Sequence, residues 1–466
     1  MRDYQRENLS HDPVHGYIPF TSDADTAAGE TSERQIIDHP WVQRMRYIHQ
    51  LQTAWWVYPT AEHTRFPHVI GAMHMGSQAM AVLYDSLCDT CADVPSRGYV
   101  ESLMRMAGLL HDVGHGPFGH FFDEHFLQGY GLTHETLGAA IIRGPLGDLL
   151  RGLRRTPNHA LAADERLDPD QVAWLIMRPR HDDPLDRPKW LQRLRSLMSG
   201  IYTIDNMDFV LRDAYMTGYS QRAFDLDRLL HYSFFSPAGL TIYDRGMDAL
   251  LRFMSARAEL FRSVYFHRTV RAIDLTLADL FAESKQYLFP GNPLDDLTRY
   301  LHFTESSLLV DVARWPYQQD DRQRALGKAW QRLLSRQLAW VMVCQRNLVF
   351  AEDDAECSSV FSDAEIAERM IRRHLPAQLN ELPFRVDVAR AIFRPHTRGP
   401  VADQNFLFDS ARRSVRPLTA YQLFQRLPVS QRICRVYARS LEHADHLASA
   451  LDRLLGGEAD DDLTNM

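Results

Sequence analysis

One stretch constrains this chain more than any other: Leu109-Leu110-His111-Asp112-Val113-Gly114-His115-Gly116-Pro117-Phe118-Gly119-His120. Three histidines and an aspartate fall within ten positions, on a run that starts apolar and ends in glycine and proline. Upstream, Leu103, Met106, Ala107 and Leu110 recur at the spacing of one buried helix face. Gly114, Gly116 and Pro117 stop that helix. His111 and Asp112 are therefore expected at the last turn of a buried helix, turned into a cleft. A buried carboxylate beside a buried imidazole is costly unless something offsets it, and a metal ion offsets both. The competing reading, a hydrogen-bonded histidine at a helix end with surface histidines after it, suits a lone His-Asp pair better than this one.

The 466 residues suffice for two or three ordinary domains, or for one large helical domain with additions. No window approaches the apolar run of a membrane span. The start, Met1 to Glu7, has no apolar stretch behind its charges and does not read as a secretory signal. Five scattered cysteines suggest a reducing compartment without disulfides, hence a cytoplasmic protein. Cys88 and Cys91 have metal-pair spacing but no second pair, and read as incidental. A net charge of −8 argues against stable nucleic-acid binding, while leaving room for a local basic pocket.

Along the chain, residues 10–20 read as a short extended or turn segment fixed by Asp12-Pro13. Thr21 to Ser32 reads as a polar loop. Arg34 to Leu51 reads as two short helices split by Pro40, with Arg44, Arg46 and Gln50 on or beside the polar side of the second. After Pro67 a buried helix is expected, with His68 at its start. Phe118, Phe121, Phe122 and Phe126 read as core, with Asp123 among them, and His134-Glu135 opens the next helix. From Arg143 to Arg195 the chain reads as loop-rich and charged, including Arg180-His181-Asp182-Asp183. On a helix, Asp205, Asp208, Arg212 and Asp213 share a face, with Asp208–Arg212 as an internal ion pair and Asp205 aimed into a cleft. A long helical pattern covers Gly246 to Glu283, with Arg257 bordering the apolar face of Phe253 and Phe261. Leu326–Phe350, Asp363–Leu375 and Tyr421–Leu455 read as mostly helical, and Phe384–Ala389 and Ala391–Phe393 as short strands. The tail from Gly456 reads as disordered.

The order His68, His111-Asp112, Asp205 resembles the H…HD…D signature of HD-domain metal-dependent phosphohydrolases. His11–Gly16, Gln43–Leu51, Arg65–His68, His111–His120, His134-Glu135, Asp205–Asp213 and Val264–His267 follow in register. Together they resemble the deoxynucleoside triphosphate triphosphohydrolase branch, which includes bacterial HD dNTPases and the SAM-and-HD-domain enzyme of animals. The likeness runs over about residues 10–285, leaves no room for a SAM domain before His11, and does not extend to the last third. It implies an all-α HD fold and one divalent metal ion (Mn, Fe, Co, Zn or Mg) on His68, His111, Asp112 and Asp205. It also implies release of triphosphate and deoxynucleoside by water attack at the α-phosphate. His134, oriented by Asp123, would shuttle the proton, with His115 and His120 on phosphate oxygens. Arg65, Arg257 and His267 match phosphate-binding positions, Gln50 and Asp213 match readers of the sugar 3′-hydroxyl, and Tyr265 joins the substrate contacts. Asp12 and Arg46 match an allosteric nucleotide site, with a dimer or tetramer to go with it. The family has a lysine or arginine after the last metal aspartate and a tyrosine three residues later, where this chain has Asn206 and Phe209.

The expectation is an N-terminal turn segment (1–33), an HD domain (34–300), a mostly helical C-terminal region with a few short strands (301–455) and an acidic tail (456–466). The expected function is dNTP hydrolysis. Another HD-type nucleotidase, phosphodiesterase or exonuclease is the first alternative, and a nucleotide-binding regulator with an impaired site is the second.

Overall fold

A hairpin leads into the fold. Leu9–Asp12 (β1) pairs antiparallel with Gly16–Pro19 (β2), closing at Asp12 opposite Gly16. Asp12 Oδ1 makes the turn by accepting from the backbone N–H groups of Val14 and His15, each at 2.9 Å. The computed structural model describes residues 8–178, 187–351, 353–394 and 405–455. The Arg180–Asp183 cluster and the tail from Gly456 lie outside them.

Thr21 to Ser32 is a loop as expected, exposed in its middle at Asp23, Ala24 and Ala27 to Gly29, and pinned at its two ends. Thr21, Ser22, Thr31 and Ser32 are buried, because Thr21 and the buried Glu33 exchange hydrogen bonds and Ser32 Oγ donates to Asp23 at 2.7 Å. Pro40 does separate two short helices, Glu33–Ile37 and Pro40–Gln43, by taking the first position of the second, where its missing N–H costs nothing. A tight turn, Arg44–Tyr47, follows. Arg44, expected on a polar face, is buried. It donates to the carbonyls of His115 (2.5 Å) and Phe303 (2.8 Å) and lies over Tyr300.

The scaffold of the site is a pair of long helices, Arg65–Thr90 and Arg97–Leu110, whose apolar residues Val69, Met73 and Met80, and Leu103, Met106 and Leu110, are fully buried in one core. A third helix, Ile204–Met216, crosses the first at Gly71. A Cβ at Gly71 would lie 1.9 Å from Asp208 Oδ1, so the close crossing requires glycine there. The Arg143–Arg195 stretch is less irregular than its charge suggests. Gly147–Gly152, Pro169–Ile176 and Lys189–Leu194 are helices that bury Leu150, Trp174 and Leu191.

Gly246 to Glu283 is not one helix. Met247–Leu260 passes into a π-helical turn, Phe261–Tyr265, and a new helix, Arg268–Leu288, starts after His267. π-Turns are rare and occur often where a side chain must be re-aimed. Here the turn carries Tyr265 to Asp213.

The chain is mainly α-helical, with small sheets. Helices Leu297–His302, Glu305–Arg314 and Asp321–Leu334 pack into the main core through Tyr300, Leu308, Trp315 and Trp330. Two spans read as helical are strands: Val341–Phe350 (β5) and Ser430–Ala438 (β9). Strand β9 lies between β5 and Phe384–Ile392 (β6), antiparallel to both. The helices Ala364–His374 and Ala444–Leu455 cover this sheet and close a second core around Cys434, Val436 and Ile371. Between β6 and β9 the chain returns to the main body. Asn405–Asp409 (β7) pairs in parallel with Leu240–Tyr243 (β4), and Ser233–Phe235 (β3) and Ser414–Pro417 (β8) complete a four-stranded sheet. Among the described residues no helix is long and apolar enough to cross a membrane.

Candidate metal centre

The first turn of the Arg65–Thr90 helix supplies His68. The end of Arg97–Leu110 supplies His111 and Asp112, and the first turn of Ile204–Met216 supplies Asp205. These four side chains converge. His68 Nε2 is 3.2 Å from both His111 Nε2 and Asp205 Oδ1. His111 Nε2 is 3.2 Å from Asp112 Oδ1 and 3.6 Å from Asp205 Oδ1. Asp112 Oδ2 is 3.8 Å from His68 Nε2.

The tautomers decide what this means. His68 donates from Nδ1 to Asp208 Oδ2 at 2.7 Å, and His111 donates from Nδ1 to the Gly108 carbonyl at 2.8 Å. Both Nε2 lone pairs are thereby turned to the same point. Two ring nitrogens facing each other among carboxylates suit a shared positive charge, a proton or a metal ion. His68, His111 and Asp112 each offer a ligand-type atom within 4.8 Å of the others, and Asp205 Oδ1 adjoins both imidazoles, a set of N and O donors of the kind that binds a divalent ion. The residues fit such an ion.

The electrostatics agree. Burial opposes charge on His68, but Asp205 and Asp208 outweigh it and lift the imidazole to about 10. His111 is raised against burial by Asp112 and Asp205. Burial would raise the carboxylates, yet Arg65, His111 and His115 hold Asp112 well below its usual range, and His111 and His68 do the same for Asp205. A centre that draws protons onto its imidazoles to balance its carboxylates is a place for positive charge. Asp205 is the most exposed of the four, its side chain 32% accessible, so the centre opens on its side.

Behind His68 lies a buried network. Asp208, wholly inaccessible, accepts from His68, from His15 Nε2 (2.7 Å) and from Arg212 through Nε (2.9 Å) and Nη2 (2.8 Å). Arg212 Nη1 donates to Asp12 Oδ2 at 2.7 Å. The expected Asp208–Arg212 pair is thus present, and Asp208 also holds His68. Sequence reasoning missed the links from His68 and His15 to Asp208. The only signal was Asp208 sharing a face with Asp205.

A second cluster adjoins the first. His115, His120, Asp123 and His134 each offer a ligand-type atom within 4.8 Å of the others. Asp123 Oδ2 accepts from His134 Nδ1 and, at 3.3 Å, from His120 Nδ1. His134 and His115 stack at 3.8 Å between ring centroids. His115 is fully buried, neither ring nitrogen makes a hydrogen bond among the described residues, and its Nε2 is 3.4 Å from Asp112 Oδ1. Burial, with Arg65 and His134 nearby, pushes His115 well below its usual value and keeps it neutral. His120 is the exposed member. Asp123, facing His134 and His115, is held far below the carboxylate range although burial opposes this.

The remaining candidates fall into separate groups. Arg65 Nη1 donates to Asp112 Oδ2 at 2.5 Å. Arg257 is half-buried within electrostatic reach of Asp205 and Tyr265, and its inaccessible Nε has no hydrogen-bond partner among the described residues. Asp213 is held by His63 Nε2 (2.8 Å) and by the Tyr265 hydroxyl (2.5 Å). Gln50 donates its backbone N–H to His63 O (3.1 Å), and its Oε1 is buried without a hydrogen-bond partner among the described residues. His267 lies elsewhere, capping the Arg268–Leu288 helix at Thr269 N (3.2 Å) with its ring on Tyr58. Asp12 and Arg46 do not meet. Asp12 is tied to Arg212, whereas exposed Arg46 lies over Phe66 at 3.6 Å.

Residues 91–182 match the model of the HD domain, and this span contains His111-Asp112 in its helix-end setting. Over that span the chain is similar to an HD domain. Relatives extend well beyond that span. The chain is 22% identical over 462 residues to human deoxynucleoside triphosphate triphosphohydrolase SAMHD1, covering 93% of this chain and 70% of that protein. It is 28% identical over 346 residues to the uncharacterized protein YwfO of Bacillus subtilis (strain 168), covering 71% of each. It is 25% identical over 297 residues to the SAMHD1 homolog of Dictyostelium discoideum, covering 62% of this chain and 53% of that one. The chain thus spans about half the length of the Dictyostelium relative. Its fold matches the crystal structure of a hypothetical protein from Aquifex aeolicus with a TM-score of 0.66, at 21% identity, over 96% of this chain and all of that one.

Proposed function

We propose that this protein is an HD-domain, metal-dependent phosphohydrolase that cleaves deoxynucleoside triphosphates to deoxynucleoside and triphosphate. The observation that carries the reading is the pair of imidazole Nε2 atoms, each fixed by a bond at Nδ1, facing each other at 3.2 Å between Asp112 and Asp205. The relatives named as deoxynucleoside triphosphate triphosphohydrolases support the substrate class.

His68, His111, Asp112 and Asp205 would hold the divalent ion, which when bound supplies Lewis acidity toward phosphate and lowers the pKa of water. The protein's own groups do the rest. Arg65, oriented by Asp112, and half-buried Arg257 provide cationic donors beside the centre, where charge on a phosphate develops. Asp123 holds His134 by Nδ1, which leaves Nε2 to give a proton to the departing 5′-oxygen. As a water oxygen bonds to the α-phosphorus, the bond to the 5′-oxygen breaks, that oxygen takes the proton of the His134 imidazolium, and the proton given up by the water restores it. Neutral His115, packed between Asp112 and His134, keeps the two clusters at fixed separation. Asp213, set by His63 and Tyr265, offers an acceptor for a sugar hydroxyl. Asn206 and Phe209, on the first turns of the Asp205 helix, add no cation.

Anion-exchange analysis of products from all dNTPs, NTPs and monophosphates, with several divalent metals and in ¹⁸O-water, tests this. Triphosphate carrying the label, plus unlabelled deoxynucleoside, is the expected outcome, with at least a thousandfold loss in His111→Ala, as suits loss of a metal ligand. Release of orthophosphate or pyrophosphate, or turnover retained in His111→Ala, would refute the mechanism.

A further inference from the structure

The β1–β2 turn is wired to the metal-site histidine through two buried side chains. His15, whose side chain is 2% accessible, reaches Asp208 Oδ1 at 2.7 Å, and the other oxygen of the same carboxylate holds His68 Nδ1 at 2.7 Å. Asp12 holds Arg212 at 2.7 Å, and Arg212 grips both Asp208 oxygens. Asp12 also makes the turn itself, through the N–H groups of Val14 and His15. One carboxylate therefore joins a surface hairpin to a residue deep in the fold. Gly71 packs directly on that junction, where any side chain would strike Asp208 and Arg212.

We propose that His15 and Asp12 are positioning residues of the metal centre, and that the hairpin turn and the metal site form one thermodynamically coupled unit. The proposal rests on the metal reading above. Its physical basis is that a carboxylate bonded to a ligand histidine sets that ring's tautomer and basicity. Here the carboxylate's own position depends on donors from the hairpin. If the hairpin strengthens the site, the ion must by linkage hold the hairpin in return. Any event that lifts the turn away would loosen the ion without touching a ligand.

The test uses Mn²⁺ as probe and reads no turnover. Mn²⁺ affinity is measured by electron paramagnetic resonance of the free ion. Amide hydrogen exchange over residues 9–19 is followed with and without saturating Mn²⁺. The expected results are slower exchange at Val14 and His15 when Mn²⁺ is bound, about tenfold weaker Mn²⁺ binding in His15→Ala, the low end of the effect of such supporting groups, and a smaller loss in Asp12→Asn. His15→Ala should also abolish the metal-dependent change in exchange, which a merely structural role would leave intact. Affinities within twofold of the parent in both variants, or hairpin exchange indifferent to Mn²⁺, overturns the coupling while leaving the metal centre standing. Failure of the parent protein to bind Mn²⁺, and to bind Fe²⁺, Co²⁺, Zn²⁺ or Mg²⁺ in the same titration, overturns the metal reading itself, and the coupling with it. If His15→Ala does not fold, the exchange measurement on the parent protein still decides.

Discussion

Phe118 and Gly119, at the end of the His-Asp turn, both adopt positive φ, 62° and 56°. For a buried phenylalanine that backbone is strained, and such strain persists only where the surroundings over-determine it. Phe118 is fully buried against Trp56 and Phe121. Gly119 has a further role, because a Cβ there would lie 2.4 Å from Arg65 Nη2. Gly119→Ala should therefore cost about 1–3 kcal/mol in backbone strain and push Arg65 off Asp112. Thermal melting reads the first effect. Turnover at least tenfold lower, with metal content unchanged, reads the second. A variant with parental turnover would show that the Arg65–Asp112 contact does not matter for the reaction.

Among the elements, the β5–β9–β6 sheet is unusual in burying charge. Glu356 is 1% accessible and accepts from Arg390 through Nε (2.5 Å) and Nη2 (2.6 Å) and from Arg432 Nε (2.8 Å). Burial would raise its carboxyl, but Arg390, Ser430 and Arg432 bring it down to about 2. A folded-state value below the unfolded one means that the unfolded chain takes up the proton first. The stabilisation is thus complete above the ordinary glutamate value near 4.5 and fades as the pH falls toward 2. Glu356→Gln should destabilise at pH 7 by about 3 kcal/mol, the low end for breaking a buried pair, and by much less at pH 2.5. Denaturant titrations at the two pH values check this, and a pH-independent difference would contradict it. The same buried polarity explains why the strands were misread. Gln345 and Arg346, on opposite faces of β5, and Arg435 on β9 are all buried, bonded to Arg435, Asp452 and Gln345. The alternation that marks a half-buried strand is therefore broken.

At the scale of the molecule, the chain returns across its own core. Strand β7 extends the sheet of β4, and Leu407, Leu418 and Phe424 belong to the main core although the surrounding sequence builds the second one. A chain ending at residue 338 should keep the helices of the metal centre but lose these three buried side chains and expose the β4 edge. At about 1.5–3 kcal/mol for each buried side chain, its melting temperature should fall by at least 10 °C. An unchanged melting temperature would mean that the returning strands add nothing. The helix carrying His111 and Asp112 was legible in sequence because burial there is a local matter. Apolar residues at helical spacing and a glycine-proline stop are written into adjacent positions. The helix containing Asp205 and Asp208 was legible for the same reason. What no linear pattern encoded was the supporting set: Arg44 on the His115 carbonyl, His15 on Asp208, His63 on Asp213. Each joins residues 71 to 193 positions apart. A polar side chain looks the same in sequence whether it faces water or a buried partner. Local periodicity determined the helices that carry the site, and only three-dimensional packing, by choosing which polar groups are removed from water together, decided what holds the site in shape.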